Sequence, residues 1–252
     1  MKIEHLSVSR VGVWELCQQQ YKYKYHEKLP SLEDEPIYFA YGSIVHKIAE
    51  KYVESKGDTL ISEITEDVLS GKIPLGEGKK LTKLTSEYKG KLVYHIRAIK
   101  KISDQLGYEG KTEWPFRYDL DPPNDKVVVG FIDRLVQKDD KFWILDYKTT
   151  KKGPWRKGPR EIAGDLQLRT YARIVQKTFD AKPENIKAAL YYLDGAELVG
   201  ASFSAQSLDK VEGELLKNYV AIEASNPNGV VGNVGNHCNR CDWRKICPFK
   251  AK

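Results

Sequence analysis

The chain has 252 residues, of which 41% are hydrophobic and 30% are charged, and its formal net charge is +6. This composition is that of an ordinary globular protein and excludes a disordered or membrane-embedded chain. No run approaches the roughly 18 apolar residues that span a bilayer. The start MKIEHLSVSR lacks the apolar core of a secretory signal, so we expect a cytoplasmic location. The positive charge favours a polyanionic partner.

The N-terminal half has mainly helical periodicity. Residues 3–27 predict a helix followed by an extended piece at 21–25, where tyrosines alternate with lysines. This alternation fits either a half-buried edge strand or a surface that binds DNA, and we favour the strand. Gly42 opens a second helical pattern with His46 in its first turns. Residues 57–110, interrupted by Gly71, Pro74, Gly76 and Gly78, predict a helical insertion within the domain.

The second half alternates between strand and helix patterns. Runs at 114–118, 127–136 and 142–147 predict three strands of a meander. A helix is expected at 162–175, two more strands at 186–193 and 198–203, and a last helix at 208–224. We therefore expect an α/β fold, with residues 1–252 as a single domain whose central mixed sheet is flanked by helices.

Two aspartates and a lysine lie within apolar strand sequence. Side chains two residues apart on a strand share a face, so Asp146 and Lys148 should point the same way. If the strands of Asp133 and Asp146 pair in a hairpin, their carboxylates can converge on one Mg²⁺ or Mn²⁺. Such an ion would polarise a scissile phosphate and lower the pKa of a bound water. The alternative for an isolated D-x-K pattern is an ion pair at a strand end.

Several motifs occur in an order that resembles the RecB-like branch of the PD-(D/E)XK nucleases, which includes the AddB nuclease domain and the CRISPR-associated RecB-like exonucleases. In chain order they are residues 9–25 with Cys17, GSIVH at 42–46, EWPF at 113–116, GFIDR at 130–134, DYKT at 146–149, Gln167 through Tyr171, and the C-terminal cysteines. Together these motifs span nearly the whole chain. The resemblance implies a restriction-endonuclease-like core and an exonuclease that processes single-stranded or frayed DNA ends in recombination, repair or replication.

The resemblance also implies roles for single residues. The implied metal ligands are His46, Asp133, Asp146 and the backbone carbonyl of Tyr147. The implied catalytic residues are Lys148, Asp133, Asp146, Gln167 and Tyr171. Gln167 and Tyr171 match a Q-x-x-x-Y helix motif, and residues four apart lie on one helical face. A half-buried structural histidine is the alternative for His46. Glu113 falls at a family position, but a strand-end carboxylate near Arg117 explains it equally well, and we do not assign it as a ligand.

The four cysteines have a metal-like arrangement. The spacing Cys238-x2-Cys241-x5-Cys247, far in sequence from Cys17, is not the paired layout of a zinc ribbon. Four thiolates from separate segments can hold zinc or an iron–sulfur cluster. The resemblance implies a four-iron four-sulfur cluster, which would tie residue 17 to residues 238–247 across the sequence. Gln18 stands where relatives often carry proline, which weakens the local match.

A basic loop follows the D-x-K motif, and it contains Lys151, Lys152, Trp155, Arg156 and Lys157. Lysine and arginine neutralise phosphates, and an indole stacks on unpaired bases, so we expect this loop to bind DNA. A helicase or recombination protein is the partner that the resemblance implies, with no membrane involved. Two other functions stay open: a structure-specific endonuclease acting on flaps or junctions with the same residues, and a catalytically inactive DNA-binding module.

Overall fold

A computed structural model describes residues 1–32, 36–76, 79, 81–154 and 156–250. The chain divides into two compact units. We call residues Met1–Glu35, Phe116–Gly130 and Asp209–Lys252 the terminal unit, and residues Pro36–Pro115 and Phe131–Leu208 the central unit. None of the helices in the described part of the chain combines the length and apolar character needed to cross a membrane.

Eight α-helices and five strands form the described structure. The helices are α1 (Val8–Leu16), α2 (Gln18–Tyr21), α3 (Ile37–Glu54), α4 (Ile61–Leu69), α5 (Ser86–Leu106), α6 (Pro159–Ala163), α7 (Leu166–Phe179) and α8 (Ala205–Ala224). The strands are β1 (Lys111–Asp121), β2 (Lys126–Lys138), β3 (Lys141–Lys148), β4 (Ile186–Tyr192) and β5 (Glu197–Ser202). A π-helical turn, Lys22–His26, continues α2.

Polar side chains cap several of the helices. Ser7 accepts a hydrogen bond from the backbone N–H of Arg10 at the start of α1, and Asp165 accepts one from Leu168 at the start of α7. Such caps satisfy N–H groups that have no partner inside the helix. Helix α5 ends at Gly107, whose φ of +80° favours glycine. Local sequence therefore sets where these helices begin and end.

The five strands form one mixed sheet in the order β1-β2-β3-β4-β5. β2 and β3 are antiparallel, β3 and β4 are parallel, and β4 and β5 are antiparallel. The parallel pair is joined through α6 and α7, because parallel strands need a crossover connection. The expected mixed central sheet flanked by helices, with the fold of a restriction-endonuclease-like core, is confirmed.

Alternate residues of β3 face different layers of the central unit. Leu145 and Tyr147 belong to an apolar core that also contains buried residues of α3, α4 and α5. Phe142 and Lys148 contact α7, through the ring of Phe179 and through Gln167. The β3 face that carries Asp146 and Lys148 is thus the face on which α7 packs. Helices α4 and α5 lie within residues 57–110, predicted as a helical insertion; Gly78 of that stretch is outside the described residues.

Two local predictions were wrong. Residues 21–25, expected to be extended, continue the helical backbone, because Tyr21 and Tyr25 then lie four apart with ring centroids 5.0 Å from each other. Tyr21 is buried there, so contacts within the fold override the strand preference of tyrosine. Helix α3 begins at Ile37 rather than near Gly42, which places His46 in the middle of an 18-residue helix.

Candidate metal centre and active site

His46 lies where four elements of the central unit meet. It projects from α3 and its Nδ1 atom is 3.4 Å from Oδ2 of Asp133 and 3.9 Å from Oε1 of Glu113. Its Nε2 atom is 3.0 Å from the carbonyl oxygen of Tyr147. A helix and three strands therefore deliver two carboxylates, an imidazole and a peptide oxygen to one place.

The peptide of Tyr147 links the two strands that carry the aspartates. In the β2–β3 register Arg134 is opposite Leu145, and Asp133 and Asp146 each lie one residue beyond that pair. The backbone N–H of Tyr147 donates a hydrogen bond of 2.8 Å to Oδ2 of Asp133. This bond fixes one carboxylate oxygen of Asp133 and leaves the other oxygen able to coordinate a metal ion.

Glu113 is a residue that our sequence interpretation did not assign. It lies on β1 with a φ of +42°, a left-handed conformation that is uncommon for a non-glycine residue and is strained. Strain of this kind concentrates at functional sites. Its position in the EWPF motif was the available signal, because the family resemblance already pointed to it.

These side chains fit a divalent cation. Among the described residues, His46, Glu113 and Asp133 each offer one ligand atom within 4.8 Å of the others. Ligands on opposite sides of one Mg²⁺ lie about 4.2 Å apart, given metal–oxygen bonds of roughly 2.1 Å. The donor set is oxygen-rich with one imidazole, which suits magnesium or manganese. Asp146 is not in this group.

Asp146 instead pairs with Lys148. The carboxylate is buried, and its Oδ2 atom lies 2.6 Å from Nζ of Lys148 without hydrogen-bond alignment. Lys148 donates to Oε1 of Gln167 at 3.3 Å, and Nε2 of Gln167 donates to the hydroxyl of Tyr171 at 2.8 Å. The structure thus joins the lysine to both residues of the Q-x-x-x-Y motif in one chain of polar contacts.

The carboxylates govern the charges of this region. Burial opposes protonation of His46, but Asp133, Glu113 and Asp146 outweigh it and raise the pKa of His46 to about 9. Burial, with the charge of Asp146, raises the pKa of Asp133 to about 7. Burial opposes the charge of Lys148 as well, yet Asp146 raises its pKa, so Lys148 is an ammonium at neutral pH. The excess of negative groups is what a bound cation would balance.

The basic loop after β3 is only partly available to a ligand. The guanidinium of Arg156 is held by Asp194 and Glu197, and its side chain is 8% exposed. Nζ of Lys157 contacts the carboxylate of Asp165 at the start of α7. Lys151 is well exposed beside Glu87, and Lys152 is exposed. Trp155 lies outside the described residues.

All four cysteines line one cavity of the terminal unit. Cys17 is buried between α1 and α2, whereas Cys238, Cys241 and Cys247 are half-buried, and all four are free thiols. Burial, followed by the neighbouring Cys17 and Cys247, raises the pKa of Cys241. Four soft thiols around one cavity fit zinc or an iron–sulfur cluster.

Two segments that carry cysteines also touch independently of any metal. Nδ2 of Asn233 donates to the carbonyl of Leu16, next to Cys17, at 3.0 Å. The indole N–H of Trp243 donates to the carbonyl of Pro30 at 3.1 Å, and its ring lies 6.0 Å from that of Tyr23. The described part of the cysteine-bearing tail has no helix longer than five residues.

Comparisons with known proteins bear on this geometry. A protein described as a putative exonuclease from Eubacterium rectale is 14% identical, with a TM-score of 0.51 over 99% of this chain and 90% of that one. SSO0001 is 16% identical with a TM-score of 0.41, over 93% and 95% of the two chains. A comparison with curated protein sequences found no match.

The likeness to the Eubacterium rectale protein concerns the fold alone, since the identity is low. The sequence itself matches a family over residues 5–248, which include His46, Glu113, Asp133 and the D-x-K motif. Because this match covers almost the entire length, the chain belongs to the PD-(D/E)XK nuclease superfamily.

Proposed function

We propose that the protein is a Mg²⁺- or Mn²⁺-dependent deoxyribonuclease. The observation that carries this proposal is the group of ligand atoms of His46, Glu113 and Asp133 within 4.8 Å of one another, beside the pair of buried Asp146 and half-buried Lys148. Family membership supports a nuclease, and the positive charge of the chain supports a polyanionic substrate. DNA rather than RNA is the substrate implied by the resemblance to the RecB-like branch.

The proposed ligands are His46, Glu113, Asp133, Asp146 and the carbonyl oxygen of Tyr147. Glu113 is added to the ligand set because its carboxylate lies close to His46. Asp146 is kept in the set because its charge raises the pKa values of His46 and Asp133. When bound, the ion would polarise the scissile phosphate and make water a better nucleophile.

The side chains beside the ion would do the positioning. Lys148 holds its proton at Nζ and would stabilise negative charge that develops on the phosphoryl oxygens. Gln167 keeps Lys148 in place from α7, and Tyr171 in turn holds the amide of Gln167. Burial raises the pKa of Tyr171, so its hydroxyl stays protonated at neutral pH.

Exonucleolytic processing of single-stranded or frayed ends is the mode of action we propose. The test compares linear end-labelled single-stranded DNA with closed circular single-stranded DNA in Mn²⁺, using the parent and Asp133→Asn. An exonuclease degrades the linear strand, leaves the circle intact and loses activity in the variant. Cleavage of circles or flaps would establish the endonuclease instead, and DNA binding without cleavage in the parent would establish an inactive binding module.

We further propose that Cys17, Cys238, Cys241 and Cys247 hold a four-iron four-sulfur cluster with a structural role. Four free thiols lining one cavity support a metal group, and the resemblance supports iron–sulfur over zinc. Anaerobic purification followed by an absorption spectrum and metal assay tests this. About four irons per chain and a brown protein are expected, whereas one zinc in a colourless protein would contradict the cluster.

The cellular setting rests on the resemblance. A helicase or recombination partner, a role in recombination, repair or replication, and a cytoplasmic location stay predictions. Co-purification of the full chain from its native cells under low salt, followed by identification of bound proteins, would test the partner. Recovery without any helicase or recombination protein would contradict it.

A further inference from the structure

A cavity of about 230 Å³ in the terminal unit is lined by basic and aromatic side chains. We call it the Tyr25 cavity, after the tyrosine of the π-helical turn. Its lining includes Lys2, Arg10, Tyr21, Tyr25, His26 and Lys28. None of these residues belongs to the candidate metal centre or to the cysteine cavity. The nuclease site therefore does not account for this cavity.

Cationic side chains outnumber carboxylates in the lining of the Tyr25 cavity. Within the described part of the chain, Lys2, Arg10 and Lys28 form no ion pair, and Glu4 is the carboxylate in the lining. Lys22, a few residues away, does pair with Glu27, at 3.3 Å. Like charges gathered without partners repel each other, so an anion in the cavity would lower the free energy of this arrangement.

Arg10 is held in position with most of its donors left over. Its Nη1 atom donates to the carbonyl of His5 at 2.7 Å, and its Cζ atom lies 4.9 Å from the ring centroid of Tyr25. A guanidinium has five N–H donors, and the hydrogen bond to His5 is the one found for it among the described residues. Stacking on Tyr25 orients the planar group, which suits bidentate contact with a phosphate.

The helical course of residues 21–25 creates this arrangement. Tyr21 and Tyr25 lie one turn apart with their rings 5.0 Å from each other, and Tyr25 carries Arg10 on its ring. Lys28 follows with a φ of +52°, a left-handed turn after the helical segment, and its side chain is exposed. An extended strand would not bring residues four apart together in this way.

We propose that the Tyr25 cavity binds a phosphate of a single-stranded nucleic acid, with Arg10 and Lys28 as its contacts and Lys2 beside them. This inference rests on the proposed nuclease function, which supplies the polynucleotide. The cavity is smaller than the roughly 300–1,000 Å³ of pockets that enclose a small ligand. It therefore suits one unit of a longer strand, whose further phosphates would meet the exposed lysines.

The experiment measures affinity for a 20-nucleotide oligothymidylate in EDTA, so that no cleavage occurs, over a series of salt concentrations. Lys28→Gln is compared with Lys56→Gln, a matched control because Lys56 is also exposed and has a φ of +53° but lies outside the cavity. Because the cavity would hold one phosphate, Lys28→Gln should reduce the slope of log affinity against log salt by up to about 0.7, and the double variant Lys2→Gln/Lys28→Gln should not exceed that limit. Lys56→Gln should leave the slope unchanged.

Arg10→Gln gives a second measurement that is independent of residue 28. It should weaken oligothymidylate binding and lower the salt slope as Lys28→Gln does. Slopes equal to that of Lys56→Gln in both variants would overturn the proposal. The proposal would also be overturned if the variants lost binding of inorganic phosphate but kept the parental salt slope for oligothymidylate, because the cavity would then bind small anions.

The two proposals fail separately. If the parent cleaves DNA in Mn²⁺ but the cavity variants bind like the control, the nuclease stands and the phosphate site is wrong. If the parent does not cleave, yet Lys28→Gln and Arg10→Gln lower the salt slope, the phosphate site stands and the nuclease is wrong.

Discussion

The candidate metal centre and the cysteine cavity are built in different ways. The first takes His46 from α3, Glu113 from β1 and Asp133 from β2, and its groups contact one another within the protein. The second takes Cys17 from a break between two helices and three thiols from a tail with only short turns. Regular elements thus preorganise the oxygen and nitrogen ligands, whereas three of the four thiols lie on a tail that has only short helical turns.

Because regular elements hold the metal centre, substitutions there should lower activity and leave the fold intact. Lys148→Ala should lower the single-turnover rate of DNA cleavage by about 10³-fold, since it removes the ammonium that stabilises transition-state charge. The rate is measured on end-labelled single-stranded DNA with Mn²⁺. Lys141→Ala, at the exposed far end of the same strand, is the control and should cleave normally. A Lys148→Ala enzyme of near-parental rate would remove the lysine from the mechanism.

Damage to the cysteine cavity should instead affect stability first. Cys241→Ala should release the bound metal and lower the thermal unfolding midpoint by roughly 6–12 °C, if the lost metal stabilises folding by about 3 kcal/mol. Calorimetry on anaerobically prepared protein measures the midpoint. Lys148→Ala, examined in parallel, should keep the parental midpoint. Equal midpoints for all three proteins would show that the cysteine segments fold without a metal group.

Arg134 links β2 to α5 within the central unit. This side chain is fully buried and donates to Oγ of Ser103 at 3.2 Å and to the carbonyl of Gly107, at the end of α5. Arg134→Lys keeps the charge but loses the fork of donors, so the free energy of unfolding should fall by about 2 kcal/mol. Urea unfolding measures it, with Arg97→Lys on the exposed face of α5 as control. An unchanged midpoint would mean that α5 is held by apolar packing alone.

The smallest effect distinguishes Glu113 from Asp146 as a ligand. Glu113→Gln removes one negative charge from the group around His46 and should weaken Mn²⁺ binding about tenfold. Titration calorimetry measures the affinity, and Glu109→Gln, exposed just before β1, is the control. If Glu113→Gln binds Mn²⁺ like the parent while Asp146→Asn does not, the sequence-based ligand set was the better one.

Sequence reasoning succeeded where chemistry and periodicity agree. Asp146 and Lys148 lie two apart in an apolar run, and the alternation of a strand puts them on one face, where the structure pairs them. The strands and the helix carrying Gln167 and Tyr171 follow from the same kind of pattern, because burial on one side leaves a periodic trace in the sequence.

Sequence reasoning was less successful where contacts between residues distant in sequence determine the conformation or the partner of a side chain. No local pattern reveals that Glu113 has a positive φ or that its carboxylate lies beside His46, 67 positions earlier in the chain. The alternation at residues 21–25 was misread since buried ring contacts favour a helix there. Arg156 looked like a DNA contact, but Asp194 and Glu197 are distant in sequence, and their pairing with it was not visible.

The peptide unit of Tyr147 contributes backbone atoms to the metal centre, and these atoms are the same whatever side chain the residue carries. Its N–H holds Asp133 and its C=O lies beside His46, while its phenol ring is buried among the apolar residues of α3 and α5. A substitution of Tyr147 would therefore affect stability through the packing of the new side chain in that space. The backbone N–H and C=O groups would stay in place. The middle letter of D-x-K is free in the motif for a physical reason: main-chain atoms, common to every amino acid, supply what the centre needs there.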